Sequence, residues 1–119
     1  EAMINKKIEM ALQYKLIPII CVSEVTQVDS FTSLSDGKQA IIAYEPLFAI
    51  GSGTPDSPEN AEKTSAEIQE KVENESIIYG GSVTSQNVHS FTSMPTISGV
   101  LPGGASLDAG EFAAIITNA

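Results

Sequence analysis

The chain has 119 residues, of which 42% are hydrophobic and 18% charged, a balance typical of one globular domain. Fifteen acidic residues against six basic ones, all lysines, give a net charge of −9. This acidic balance argues against binding to nucleic acid or to an anionic membrane surface, because both require a basic face. It leaves small anions as ligands, since backbone amides bind phosphate without the help of a cation.

The cysteine content and the hydropathy bear on where the chain resides. Cys21 is the only cysteine, so an intrachain disulfide is excluded and a cytoplasmic location is favoured. No apolar run approaches the roughly 20 residues that a membrane span requires. We therefore expect a cytoplasmic protein in which residues 1–119 form a single domain.

The first third of the chain predicts a helix followed by a buried strand. Apolar residues at helical spacing indicate a helix over residues 2–14, and the run IPIICV predicts a strand over residues 17–22 that is buried on both faces. Residues 25–39 show no clear period. We expect a short helix or a loop there, with a turn at SDGK, residues 35–38.

The middle of the chain predicts two more buried strands around a longer helix. AIIAY, residues 40–44, and SIIY, residues 76–79, are the strands. The helix between them is expected to begin with Ser57 as its N-cap and Pro58 at its first position. Its inner stripe is expected to consist of Ala61, Ser65, Ile68 and Val72.

The last third predicts a short helix, a strand and a final helix. The short helix is expected around Val88, and SGVL, residues 98–101, reads as the fourth strand. Asp108 and Glu111 have the spacing of a capping box at the start of the final helix. The apolar residues that make this helix amphipathic are Phe112, Ile115 and Ile116.

The order of the predicted elements indicates the fold class. Buried strands that alternate with helices are typical of an α/β fold with a parallel sheet and right-handed crossovers. In such folds ligands bind at the carboxyl ends of the strands. Functional residues are therefore expected directly after each predicted strand.

Glu45 is the first candidate, because it follows the second predicted strand and precedes Pro46 in AYEPLFAIGSG. A residue before proline is restricted to an extended backbone, so Glu45 is expected to continue the strand. An apolar loop over residues 47–50 comes next, and its closure would expel water from the carboxylate, as suits a general base acting on a C–H bond. The alternative is a surface glutamate at a strand end.

Glycines follow the last three predicted strands, as GSG at residues 51–53, GGS at residues 80–82 and GG at residues 103–104. Glycine allows a close backbone approach, and backbone amides at a helix start can bind phosphate. These segments predict either a phosphate site or a set of tight turns.

The remaining candidates are less informative. His89 falls in a predicted helix and no lysine lies at a strand end, so the residues alone offer no group to stabilise an enolate oxygen. Cys21 is expected to be a small buried hydrophobic residue. Glu24 is either a carboxylate that supports a site or a simple strand-end charge.

Four segments resemble the triosephosphate isomerase family. PIICVSE is similar to its strand 5, and AYEPLFAIGSG, IIYGGSV and GVLPGGASL are similar to its strands 6, 7 and 8. The matches span about residues 17–119. The resemblance implies an α/β fold of the TIM (β/α)8 barrel type, of which this chain forms a C-terminal (β/α)4 half-barrel.

The resemblance also implies an activity. The family's reaction is an aldose–ketose isomerisation, in which a proton moves between glyceraldehyde 3-phosphate and dihydroxyacetone phosphate through an enediolate, in glycolysis and gluconeogenesis. It implies no cofactor and no metal. The expected partners are a small phosphorylated triose and either a second copy, as a homodimer, or the N-terminal half of the barrel, with no nucleic acid and no membrane.

Site residues follow from the matched motifs. Glu45 is implied as the catalytic base. The implied phosphate-binding residues are Gly51, Ser82, Gly103 and Gly104. Tyr79, together with Ser82, is implied to hold a mobile lid. The lid itself consists of Pro46, Leu47, Phe48, Ala49, Ile50, Ser52, Gly53, Thr54, Pro55 and Asp56, with Gly51 at its tip.

The chain departs from the family in one important respect. The asparagine and lysine after strand 1 and the histidine after strand 4 have no counterpart in it, and His89 is not that histidine. We therefore expect the isolated chain to be inactive. The alternatives are a different sugar-phosphate-binding barrel, and a non-catalytic half-barrel that dimerises through its exposed sheet edges.

Overall fold

The structure is a computed structural model that describes residues 2–31, 40–72 and 76–119. Helices and strands alternate along these ranges, with short 3-10 helices after three of the strands. The elements are α1 (Ala2–Gln13), β1 (Ile19–Val22), a 3-10 helix (Val25–Ser30), β2 (Ile41–Tyr44), a 3-10 helix (Leu47–Ala49), α2 (Pro58–Val72), β3 (Ile77–Tyr79), α3 (Val88–Thr92), β4 (Ile97–Val100), a 3-10 helix (Gly104–Leu107) and α4 (Ala109–Asn118).

The four strands form one parallel sheet in the order β1-β2-β3-β4. Strand neighbours in space are therefore neighbours in sequence. The register places Val22 beside Tyr44 and Tyr44 beside Tyr79, so the carboxyl ends of β1, β2 and β3 lie side by side. The predicted parallel α/β sheet is confirmed.

The first strand differs from its prediction, because only one of its faces is buried. Ile20 and Val22 are buried, whereas Ile19 is 49% exposed and Cys21 is exposed. Successive side chains of a strand point to opposite faces, and the described helices cover one face of the sheet. The expectation that Cys21 is a small buried hydrophobic residue is therefore wrong.

The core lies between the helices and the covered face of the sheet. Tyr79 and Phe91 stack with ring centroids 4.1 Å apart and an interplanar angle of 10°, and both are buried. Tyr44 packs beside Tyr79 at 6.2 Å between centroids. Two ring pairs in this geometry join β2, β3 and α3 into one hydrophobic cluster, to which Ile68 of α2 also belongs.

Helix α2 begins as the sequence predicts. The backbone N–H of Asn60 donates to the Ser57 hydroxyl at 3.2 Å, which is the bond of an N-cap serine, and Pro58 is the first helical residue. The predicted inner stripe is also present. Ala61, Ser65 and Ile68 are buried, and Val72 packs against the core.

Helix α4 has only half of the predicted capping box. The Asp108 carboxylate accepts the Glu111 N–H at 2.7 Å, as expected. The Glu111 carboxylate instead accepts the Ser85 N–H at 2.7 Å and the Ser85 hydroxyl at 3.0 Å, which ties α4 to the loop before α3. Ile115 is buried, but Phe112 and Ile116 are exposed on this helix.

The poorly patterned segment after β1 contains the expected short helix. Its described part is the 3-10 helix Val25–Ser30, at whose start the Gln27 side-chain oxygen accepts the Ser23 N–H at 2.7 Å and the Glu24 N–H at 3.3 Å. Glu24 is exposed. Its geometry is that of a cap at a strand end. The predicted turn at residues 35–38 lies outside the described residues.

Replacement of Ile68 by valine is expected to lower the free energy of unfolding by about 0.5–1.5 kcal/mol, because it removes one methylene from a fully buried site. Urea denaturation of the chain measures this difference. Ile116→Val removes the same group from a side chain that is 64% exposed, and its effect should stay within about 0.5 kcal/mol. Equal effects of the two substitutions would contradict the packing described here.

Candidate active site

Glu45 continues β2 by one residue. Its backbone N–H donates to the Val22 carbonyl at 2.8 Å, so the ladder with β1 extends to it. Pro46, which follows, is buried and restricts Glu45 to the extended conformation. The half-buried carboxylate therefore stands at the carboxyl end of the sheet, on the face that the described helices leave open.

Gly80 makes room for the Glu45 side chain. A Cβ atom on Gly80 would lie 2.7 Å from Glu45 Cγ, which is closer than real Cβ contacts come, and 3.2 Å from Glu45 Cδ. The first glycine after β3 is therefore required by the position of the carboxylate on the neighbouring strand, not by a turn.

Cys21 lies beside Glu45 on the open face of the sheet. Partial burial, a hydrogen bond from the thiol to Glu45 and the negative charge of Glu45 together raise the pKa of Cys21 to about 11. The thiol therefore remains protonated at neutral pH. Cys21 acts here as a hydrogen-bond donor to the carboxylate and not as a nucleophile.

The segment that the resemblance implies as a lid, residues 46–56, follows Glu45, and it is called the lid below. A 3-10 helix, Leu47–Ala49, leads to Gly51 and Gly53, whose φ angles of 64° and 74° lie in the left-handed region that favours glycine. Ala49 is buried, whereas Leu47 and Phe48 are exposed.

Ser82 bonds the lid to the loop after β3. Its hydroxyl donates to the Ala49 carbonyl at 2.6 Å and accepts the Gly53 N–H at 3.1 Å. Both bonds come from one side chain, and Ser82 itself adopts a left-handed backbone with φ 52°. Gly81 allows the close approach, since a Cβ there would lie 2.9 Å from the Ala49 Cβ.

Tyr79 bonds the far end of the lid. Its hydroxyl accepts the Asp56 N–H at 2.9 Å and donates to the Gly81 carbonyl at 2.9 Å. Burial raises the pKa of Tyr79, a hydrogen bond from the Asp56 backbone opposes this, and the Asp56 charge adds to it. The hydroxyl thus stays protonated and able to donate.

The strand ends and the lid enclose a cleft of about 270 Å³. The implied base, Glu45, and all four implied phosphate-binding residues line it together, namely Gly51, Ser82, Gly103 and Gly104. Ile50, Gly53, Gly81, Val83, Thr84, Leu101 and Ala105 complete its wall. One cleft is therefore lined both by a carboxylate residue and by glycines from three loops.

Other implied lid residues lie away from the cleft. Ser52 and Thr54 are exposed and bond to each other, since the Thr54 N–H donates to the Ser52 hydroxyl at 3.0 Å. Pro55 is half-buried beside the buried Asp56. These residues shape the lid without facing the enclosed space.

Several cleft residues were not singled out from the sequence. Val83, Thr84, Leu101 and Ala105 flank the glycine motifs, and only the meeting of three loops shows that they face the same space. The one indication in the sequence that they could line a site is that they lie within two or three residues of Gly81 or Gly103. Tyr44 does not line the cleft, but its hydroxyl donates to the buried Asp56 carboxylate at 3.1 Å, and no pattern in the sequence indicated this bond.

No histidine or lysine side chain of the described residues lines the cleft. His89 is exposed on α3, and Lys71 forms an ion pair with Asp29 at 2.6 Å on the outer surface. Lys38 lies outside the described residues. Among the described ranges, no group of three histidine, cysteine, aspartate or glutamate side chains is arranged to hold a metal ion. None of the helices described is both long and apolar enough to cross a membrane.

Replacement of Glu45 by glutamine is expected to lower the pKa of Cys21 from about 11 toward its ordinary value of 9.0 without reaching it, because partial burial, the largest cause, remains. The pH dependence of the rate of alkylation by iodoacetamide measures this, because the thiolate is the reactive form and the chain has one cysteine. Glu24→Gln, at an exposed carboxylate near the same strand, is the control and should change nothing. An unaltered pKa in Glu45→Gln would show that the two side chains do not face each other.

Comparison with known proteins supports the resemblance. The sequence profile of the triosephosphate isomerase family matches residues 1–119. The triosephosphate isomerase of Mesomycoplasma hyopneumoniae is 39% identical over 130 aligned residues, covering 97% of this chain and 54% of that protein. That of Gloeobacter violaceus is 36% identical, covering 98% of this chain and 55% of its own length. That of Prochlorococcus marinus is 38% identical, with 94% and 52% covered.

The chain spans about half the length of the curated relatives it matches. Its four-stranded parallel sheet agrees with the half-barrel that the resemblance implies. Because the family profile covers the chain from its first residue to its last, the chain belongs to the triosephosphate isomerase family.

Proposed function

We propose that the chain supplies the base and the phosphate site of a triose-phosphate isomerase. The reaction interconverts glyceraldehyde 3-phosphate and dihydroxyacetone phosphate through an enediolate. The observation that carries this proposal is the shared cleft, which is lined by Glu45 together with glycines from three loops. Family membership adds support.

Glu45 is proposed as the base that moves the proton. Its carboxylate takes a proton from one substrate carbon, which leaves an enediolate, and returns it to the neighbouring carbon. A second proton moves from the hydroxyl oxygen to the former carbonyl oxygen, so the substrate is isomerised and the enzyme ends unchanged. Ile50, Val83 and Leu101 line the cleft and would limit the access of water to this step once the substrate fills it. Gly80 holds the space that the carboxylate occupies.

The glycine backbone is proposed to bind the substrate phosphate. Gly51 of the lid, Ser82 after β3 and the pair Gly103 and Gly104 after β4 face the cleft. Backbone N–H groups can bind a phosphate dianion without a cationic side chain, which fits a chain of net charge −9. In barrels of this type phosphate sites commonly lie after the last two strands.

The described residues provide no partner for the developing enediolate oxygen, since no histidine or lysine side chain lines the cleft. We propose that the N-terminal half of the barrel contributes it. β1 and β4 are the outer strands of the described sheet, and Ile19 and Cys21 are exposed on its open face. A complementary half-barrel would pair with both edges and cover that face.

We also propose that the protein is cytoplasmic and that it forms a homodimer. The presence of one cysteine, which excludes an intrachain disulfide, supports the location. The membership in the family supports the isomerase activity and its place in glycolysis and gluconeogenesis.

A second candidate function is a non-catalytic half-barrel that pairs with a second copy of itself. Its support is that β1 and β4 are both four residues long and both lie at an edge of one parallel sheet. A twofold rotation would place the β4 edge of one copy beside the β1 edge of the other.

The proposal is tested by turnover of glyceraldehyde 3-phosphate. The 119-residue chain alone is expected to show no isomerase activity, because its cleft lacks the electrophile. Mixed with the N-terminal half of the Mesomycoplasma hyopneumoniae relative, it should gain activity. In that mixture Glu45→Gln should lower kcat by about 10²–10⁴-fold, the range for loss of a general base.

Glu24→Gln is the matched control in the mixture, and its kcat should be unchanged. Calorimetric titration with phosphoglycolate, an anion that mimics the enediolate, tests the phosphate site independently of turnover. Activity of the mixture that survives Glu45→Gln would overturn the assignment of the base. A stable dimer of the chain that neither binds phosphoglycolate nor gains activity would favour the second candidate.

A further inference from the structure

Ser85 lies in the loop between β3 and α3, and all of its polar groups bond to side chains of α4. Its N–H donates to Glu111 Oε1 at 2.7 Å, and its hydroxyl donates to Glu111 Oε2 at 3.0 Å. Its carbonyl accepts the Asn118 side-chain N–H at 2.9 Å. One helix thus holds a loop residue at its N–H, its hydroxyl and its carbonyl, and such complete attachment requires an explanation of its own.

The loop that leads to Ser85 lines the cleft. Residues 81–84 directly precede Ser85, and all four belong to the cleft wall. Within the loop, the Asn87 side chain accepts the Thr84 N–H at 2.8 Å and donates to the Ser82 carbonyl at 3.0 Å. These bonds fix the internal shape of the loop, whereas the bonds of Ser85 fix its position relative to α4.

Glu111 joins this loop to the glycine loop that follows β4. It lies in the first turn of α4, and the chain between it and Gly103 consists of the 3-10 helix Gly104–Leu107 and the N-cap Asp108. The Asp108 carboxylate accepts the Glu111 N–H at 2.7 Å, so this connection is itself bonded. The bonds of Glu111 to Ser85 therefore set the distance between the two loops in which the phosphate is proposed to bind.

The Glu111 carboxylate is suited to this role. It is half-buried, and each of its oxygens accepts one hydrogen bond from Ser85. Hydrogen bonds to a charged acceptor are shorter and stronger than those between neutral groups, and the first turn of a helix favours a negative charge. Glu111 is not among the residues that line the cleft, so it acts on that space through the loop.

We propose that Glu111 is a positioning residue for the phosphate site, because it holds the loop after β3 against the helix that follows β4. It thereby sets the place of the Ser82 amide relative to the glycine pair after β4. Backbone donors that are already in place bind an anion more tightly than donors that must first be ordered, since the entropy of ordering has already been lost. The inference rests on the proposed function for its effect on phosphate binding, but the order of the loop can be measured without a ligand.

Amide hydrogen exchange of the ligand-free chain tests the order of the loop. The Thr84 N–H bonds to Asn87 and not to Glu111, so it reports on the loop and not on a deleted bond. The Gly80 N–H, which bonds to the Tyr44 carbonyl at 2.9 Å, reports on the sheet. Glu111→Ala should speed the exchange of Thr84 about tenfold and leave Gly80 unchanged, because the loss of bonds to a charged group frees a local segment.

Calorimetric titration with phosphoglycolate tests the consequence for the phosphate site. Glu111→Ala should weaken binding about tenfold, because the loop must then be ordered when the anion binds. Glu111→Gln should retain most of the affinity, since its amide oxygen still accepts the Ser85 N–H and its N–H₂ group can donate to the Ser85 hydroxyl. Ser85→Ala deletes only the hydroxyl bond, so both measurements should change in the same direction as in Glu111→Ala, by a smaller factor.

Glu62→Ala is the matched control. The Glu62 carboxylate also bonds to one residue of another element, since it accepts the Thr96 N–H at 3.1 Å and the Thr96 hydroxyl at 2.7 Å. Thr96 precedes β4 and therefore lies at the amino end of the sheet, away from the cleft. Glu62→Ala should lower the free energy of unfolding by an amount similar to Glu111→Ala and leave both the Thr84 exchange and the phosphoglycolate affinity unchanged.

The outcomes distinguish the positioning role from the proposed function. Unchanged Thr84 exchange in Glu111→Ala, or equal acceleration of Thr84 and Gly80, overturns the role of Glu111. Equal losses of affinity in Glu111→Ala and Glu62→Ala overturn it as well, because they would show a general loss of stability. A loss in Glu111→Gln as large as in Glu111→Ala would show that the bonds to Ser85 are not what matters. If the unsubstituted chain does not bind phosphoglycolate, the proposed function fails, while the exchange data still decide whether Glu111 orders the loop.

Discussion

Parallel pairing of four consecutive strands is the constraint on which the rest of the structure depends. It places Val22, Tyr44 and Tyr79 side by side, so whatever follows these residues in sequence meets at one edge in space. Glu45 and Gly80 become neighbours for this reason alone, although 35 residues separate them by their numbers. The register of the strands therefore determines where the cleft lies, and the loops that follow the strands supply the residues that line it.

Tyr79 connects the core to this edge. Its ring stacks on Phe91 inside the core, while its hydroxyl holds the Asp56 backbone at the end of the lid. A residue that packs at one end and hydrogen-bonds at the other transmits the rigidity of the core to a surface loop. Tyr44 of β2 and Tyr79 of β3 thus both hydrogen-bond to Asp56, and these bonds attach the end of the lid to the two central strands.

Local patterns in the sequence were sufficient for the helices, the strands and the motifs around Glu45 and the glycines, because periodicity and the glycine and proline positions are properties of neighbouring residues. These local patterns gave wrong predictions where residues far apart in the sequence decide the contacts of a side chain. Cys21 was expected to be buried, but an apolar run cannot reveal that one sheet face is left uncovered. Glu111 bonds to Ser85, 26 residues away, in place of its own helix start. The bonds of Asp56 to Tyr44 and Asn60 carried no local signal at all.

Ser82 has a consequence that follows from its backbone. Its φ of 52° places a residue other than glycine in the left-handed region, at a cost of about 1–2 kcal/mol. Its hydrogen bonds to Ala49 and Gly53 offset that cost. The net stabilisation that Ser82 gives to the segment after β2 is therefore smaller than two hydrogen bonds alone would provide, because part of their free energy compensates for the strained backbone.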